Sequence, residues 1–162
     1  MAAGRSRRRG GDPGVRDEPD SKARLRLWLK LLKVTRGIEA ELRERLRVEF
    51  ASTLPRFDVM SALARNSDGL KMSELSGLLK VSNGNVTGIV DRLVEDGHVQ
   101  REAVPGDRRA SRVRLTAQGE AEFSRQAAEH ETWVTNLLQA LDPQEASDMT
   151  QRLNRILREE TR

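Results

Sequence analysis

Residues 82–97 read Ser82-Asn-Gly-Asn-Val-Thr-Gly-Ile-Val-Asp-Arg-Leu-Val-Glu-Asp-Gly97, and the rest of the chain is organised around them. Val86, Ile89, Val90, Leu93 and Val94 recur at three- and four-residue steps, the period of a helix with one buried side. Ser82 stands where an N-cap residue would sit, and Gly97 where a left-handed residue ends a helix. The other side presents Gly84, Thr87, Gly88, Asp91 and Glu95, flanked by Asn83, Asn85 and Arg92. A glycine inside a helix costs about 1 kcal/mol relative to alanine. Gly84 and Gly88 sacrifice that stability on a face where packing does not ask for them, which predicts close approach of the helix backbone to another surface. The alternative is that Ser82-Asn83-Gly84 is a turn and the helix starts later.

Reading outward, Ser73 to Leu79 forms a short helix expected to bury Leu75, Leu78 and Leu79, joined to the first stretch by the turn Lys80-Val81. Two short helices with a tight turn between them are the helix-turn-helix pattern. Upstream, Thr53-Leu-Pro55 starts a helix with proline in its first turn and Phe57, Met60, Leu63 and Ala64 on its apolar face. Asn66-Ser-Asp-Gly69 breaks it. Downstream of Gly97 the period drops to two. Residues 98–102 and 111–116 read as paired strands around a Pro-Gly turn that carries Asp107, Arg108 and Arg109.

Long helical stretches flank this centre. Leu25, Trp28, Leu32, Ile38, Leu42, Leu46 and Phe50 mark the first, about 40 Å long at roughly 1.5 Å per residue. Thr116 caps another, running through Ala121, Phe123, Ala127, Trp133, Val134, Leu137, Leu138 and Leu141. Asp142-Pro143-Gln-Glu145 starts a last helix with Ala146, Met149, Leu153 and Ile156 on one stripe. The expected fold is mainly α (α+β): a winged helix-turn-helix over 53–116 with a two-stranded wing. Residues 21–52 and 117–162 are expected to form a dimerisation domain of long terminal helices, with Trp28 and Trp133 in its core and a two-fold homodimer as the result. Residues 1–20, with four glycines, two prolines and Arg5, Arg7, Arg8 and Arg9, are expected to be a disordered basic tail.

Composition narrows the function. With no cysteine, disulfides, thiolate metal sites and cysteine nucleophiles are excluded. His98 and His130 are far apart in sequence, so no metal and no cofactor are expected. No run approaches the roughly 20 apolar residues of a membrane span, and no signal peptide is visible, which favours a cytoplasmic protein without membrane contact. Net charge is a mild +4, so its placement matters more than its size. Residues 98–116 hold five arginines (Arg101, Arg108, Arg109, Arg112 and Arg114) against Glu102 and Asp107. An arginine-tipped turn suits a narrow minor groove, while a glycine-faced helix suits the floor of a major groove.

Leu54-Pro55, Met72-Ser-Glu-Leu75, the 81–97 stretch and Asp107-Arg-Arg followed by Val113-Arg-Leu-Thr116-Ala-Gln-Gly119 resemble the MarR family of bacterial transcription regulators, over about residues 22–160. The resemblance implies a dimeric winged-helix protein that binds pseudo-palindromic operators, usually as a repressor released by a small molecule. It implies that Ser82, Asn83, Asn85 and Thr87 face DNA, that Arg92 touches the backbone and that Arg108 or Arg109 enters the minor groove. Lys71 stands where the family often has a capping Thr or Ser. The chain also lacks the cysteine of the peroxide-sensing branch.

The expected DNA-binding set is Ser82, Asn83, Gly84, Asn85, Thr87, Gly88, Arg92, Arg108, Arg109 and Arg112, with Asp107 holding the wing tip in shape. The expected partners are double-stranded DNA, a second copy of the chain and a small-molecule effector in the cleft between the terminal helices and the winged domain. One alternative is a winged-helix protein–protein interaction module that does not touch DNA. An enzyme is disfavoured, because no nucleophile constellation or phosphate loop is present.

Overall fold

In the computed structural model, residues 20–104 and 106–159 are described. The described residues divide into two units, one ending at residue 37 and the other beginning at residue 38. Helix α1 (Asp20–Phe50) contributes to both. It is followed by α2 (Leu54–Ala64), β1 (Leu70–Lys71), α3 (Met72–Leu79), α4 (Asn83–Glu95), β2 (Val99–Val104), β3 (Asp107–Leu115), α5 (Ala117–Leu137) and α6 (Pro143–Glu159). No described helix is long and apolar enough to cross a membrane.

Local chemistry fixes the element starts. Thr53 caps α2 by accepting the Arg56 N–H at 3.4 Å, with Pro55 in the first turn. Lys71 precedes α3 without a side-chain cap of its own; instead the Glu74 carboxylate accepts the Lys71 N–H at 2.7 Å, closing one half of a capping box. Thr116 accepts the Gly119 N–H at 3.0 Å and donates its hydroxyl hydrogen to the Gly97 carbonyl at 2.6 Å, so one side chain starts α5 and ties it to the end of α4. Asp142 and Glu145 form the expected reciprocal cap of α6, at 2.9 and 3.0 Å.

Two apolar clusters form the core of the second unit. The larger gathers Val59, Met60 and Leu63 of α2, Leu70 of β1, Leu75 of α3, Val86, Val90 and Leu93 of α4, Val99 of β2, and Val113 and Leu115 of β3. The second packs Leu42 and Leu46 of α1 with Phe57 of α2 and Trp133 of α5. Phe123 lies against both. Trp133 is only 2% exposed within its own chain, which corrects its assignment to an intersubunit core: the α1–α5 contact covers it without a partner. His130 stacks on the Phe57 ring at 4.5 Å. Its partial burial lowers its pKa from the usual imidazole value, against the opposing pull of the Asp58 carboxylate.

The sheet holds three strands in the order β1-β3-β2, all antiparallel, rather than the two expected. Leu70 and Lys71 pair with Val113 and Arg112, and a two-residue strand leaves no periodicity to read. Leu78 and Val94 also depart from expectation. The helical period places both inward, yet Leu78 is 59% exposed and Val94 is 38% exposed. Each lies on the edge of its helical stripe, where a period-based reading cannot separate buried from marginal positions. Helix α5 ends at Leu137, and a turn carries the chain through Leu141 into α6.

In the first unit, Leu25, Leu27, Trp28, Leu29 and Val34 are each more than half exposed. In the second unit, α6 leaves Met149, Ile156 and Leu157 open.

Candidate nucleic-acid interface

Helix α4 starts at Asn83, so Ser82 is its N-cap and the alternative of a later start is excluded. Val86, Val90 and Leu93 are fully buried and hold the helix onto α2 and α3. The opposite side carries Ser82, Gly84, Asn85, Thr87, Gly88 and Arg92, all exposed as expected. A β-carbon built on Gly84 or Gly88 meets no atom within 4 Å. Neither glycine is therefore required by packing inside the chain, and the backbone at both is open to an external surface. Ser82 caps by position and makes no side-chain cap hydrogen bond, which leaves its hydroxyl available. The helix N-terminus adds its partial positive charge on this face.

The end of α4 is closed by backbone chemistry. Gly97 adopts φ +77°, and the His98 N–H donates to the Leu93 carbonyl at 2.9 Å. The chain then passes directly into β2. Cross-strand pairing runs from Val99–Leu115 to Ala103–Ser111, and an irregularity at Ala103/Val104 leads to the Val104–Asp107 pair. The ribbon tip thus falls between Val104 and Asp107, with the backbone of Asp107, Arg108 and Arg109 at the start of β3. The expectations for the side chains of Asn83, Asp107, Arg108 and Arg109 lie outside the described residues, as do those for Arg5, Arg7, Arg8 and Arg9 of the tail.

The remaining ribbon arginines are engaged. Arg112 donates from Nη1 to the Asp68 carbonyl at 3.0 Å, so part of this expected DNA contact is spent on the loop after α2. Arg114 pairs with Glu102 across the ribbon at 2.6 Å, and Arg101 pairs with Asp91 of α4 at 2.6 Å. Arg56 of α2 pairs with Asp96 at the end of α4. The sequence reading missed both of these inter-element pairs. The one between Arg56 and Asp96 spans 40 residues, and no local pattern announces it.

Gly119 is required by a contact with another element. A β-carbon there would lie 1.9 Å from the His98 carbonyl oxygen, so the first turn of α5 is pressed against the backbone at the base of the wing. The Thr116 N–H donates to that same carbonyl at 3.0 Å.

A helix-turn-helix with an exposed, glycine-bearing second helix and an adjoining β-ribbon defines a winged-helix protein. Residues 53–110 match the MarR family model. A MarR family transcriptional regulator from Silicibacter pomeroyi is 34% identical with a TM-score of 0.73, covering 89% of this chain and 99% of that one. The chain belongs to the MarR family. It is also similar to a mutant MarR from E. coli complexed with operator DNA, at 25% identity and a TM-score of 0.72, over 86% of this chain and 99% of that one. The HTH-type transcriptional regulator PecS of Dickeya dadantii is 28% identical over 62% of this chain, which spans 61% of the length of PecS.

Proposed function

We propose that the chain is a sequence-specific DNA-binding regulator that places α4 in a major groove and the β2–β3 tip in the flanking minor groove. The observation that carries this reading is the outward face of α4, where Gly84, Asn85, Gly88 and Arg92 are open and no neighbour within the chain accounts for either glycine. A relative solved with operator DNA supports it, since that protein shares the fold at 25% identity. The regulator acts as a two-fold homodimer in the cytoplasm. The apolar side chains left open on α1 (Leu25, Trp28, Leu29) and on α6 (Met149, Ile156, Leu157) supply surface for a second copy. Its two recognition helices would then sit about 34 Å apart, one duplex turn. Repression relieved by a small effector is the mode of action.

Selection of bound duplexes from a random-sequence library tests the reading. Enrichment of a pseudo-palindrome whose affinity falls steeply with salt supports it, and absence of salt-sensitive duplex binding would leave a protein-interaction module. Replacing Arg109 with Ala should weaken binding and flatten the salt dependence by about one unit. Unchanged affinity and slope would remove the wing from the mechanism.

A further inference from the structure

Asp91 is an acid on the outward side of the helix that is offered to DNA. It follows Thr87 and Gly88 by one turn, and a free carboxylate there would repel a phosphate array. It is not free: Arg101 of β2 meets it at 2.6 Å. Arg101 itself sits mid-ribbon, paired across to Val113 of β3, a fully buried residue. The contact therefore joins the recognition helix to the wing at a point anchored in the core. Arg101 and Asp91 keep 37% and 48% of their side-chain surface in water, so the pair is accessible but occupied. The other charged groups nearby are Arg92 and Glu95 on α4 itself and the Arg56–Asp96 pair, which ties the end of the same helix to α2.

We propose that Asp91 and Arg101 are positioning residues for DNA recognition, an ion pair that braces the wing against the recognition helix so that both meet the duplex in a fixed relation. This rests on the DNA-binding reading above. The brace has two effects. It removes the ordering cost of a loose ribbon before binding occurs. It also neutralises a carboxylate that would otherwise face phosphate. Arg101 accordingly contributes to affinity without releasing a counterion from DNA.

The full-length chain, its Asp91→Asn and Arg101→Gln variants and the reversed pair Asp91→Arg with Arg101→Asp are compared on one probe. That probe is a duplex recovered by the unaltered chain from a random library. Each single variant should bind about fivefold more weakly, the scale of one exposed ion pair. The salt slope should stay as in the parent. Hydroxyl-radical protection should fade at the outer minor grooves while persisting at the major-groove contacts, and the reversed pair should recover both affinity and footprint. In the free protein, amide exchange along β2 should speed up in Asp91→Asn, a readout independent of DNA.

Tighter binding by Asp91→Asn would show an acid acting alone and overturn the brace. So would a slope reduced by about one in Arg101→Gln, which would mark a direct phosphate contact, or unchanged affinity in both single variants. If the parent chain enriches no duplex, the DNA-binding reading falls and takes the brace with it. If the parent binds and the variants match it, only the brace falls.

Discussion

Gly84 and Gly88 offer the sharpest test at the scale of single residues, because stability and function should move in opposite directions. Each sits inside α4 with open space where a β-carbon would go. Replacing either with alanine should stabilise the protein by about 0.5–1 kcal/mol, as helix propensity dictates. The same change should weaken duplex binding, since a methyl group now separates the backbone from the groove floor. Thermal melting and a binding titration on the same variants check both halves. Gly119 behaves in the opposite way. Its alanine variant must displace the His98 carbonyl or tilt α5, and about 1–3 kcal/mol of stability should be lost in a denaturant titration. The glycines on α4 were legible in the sequence because they break the propensity rule on a face with no partner. Gly119 was not, because its reason is a backbone from another element.

Among whole elements, the junction of α2 and α5 gives a prediction in pH. Partial burial against Phe57 holds the His130 pKa below its unfolded value of 6.5. Between those two values the unfolded chain binds more protons, so stability rises with pH across that window. Acidification from neutrality to below pH ~6.5 should therefore destabilise the protein, and His130→Phe should flatten that dependence. An unchanged pH profile in urea melts of the variant would sink the assignment.

Element starts were the most readable part of the chain. Thr53, Thr116 and the Asp142–Glu145 pair announce α2, α5 and α6 by short-range chemistry, and each cap is present. Strand β1 was not readable, since two residues carry no period. The exposure of Leu78 was also hidden, because stripe width depends on how closely α3 approaches its neighbours. The candidate site divides along the same line. The face of α4 follows from periodicity, whereas the ion pairs at Asp91 and Asp96 depend on how separate elements meet.

For the molecule as a whole, the open leucines and Trp28 of α1 and the open stripe of α6 set the expectation for assembly. Light scattering after size exclusion should give twice the chain mass at micromolar concentration, and a stable monomer would refute the homodimer. Ala substitutions at Met149 and Ile156 together should shift that equilibrium towards single chains while leaving the melting of the 38–162 core almost unchanged, because neither residue belongs to its clusters.

Helix α6 carries a further consequence. A helix with a good cap and little of its surface covered by the rest of the chain gains little order from that chain, and in the proposed homodimer the second copy would supply it. Its melting temperature should therefore climb with the amount of protein in the cuvette, by mass action, while α2 through β3 melt at one temperature at every dilution. Protease sensitivity at the C-terminal end would then serve as a gauge of how much of the chain stands alone.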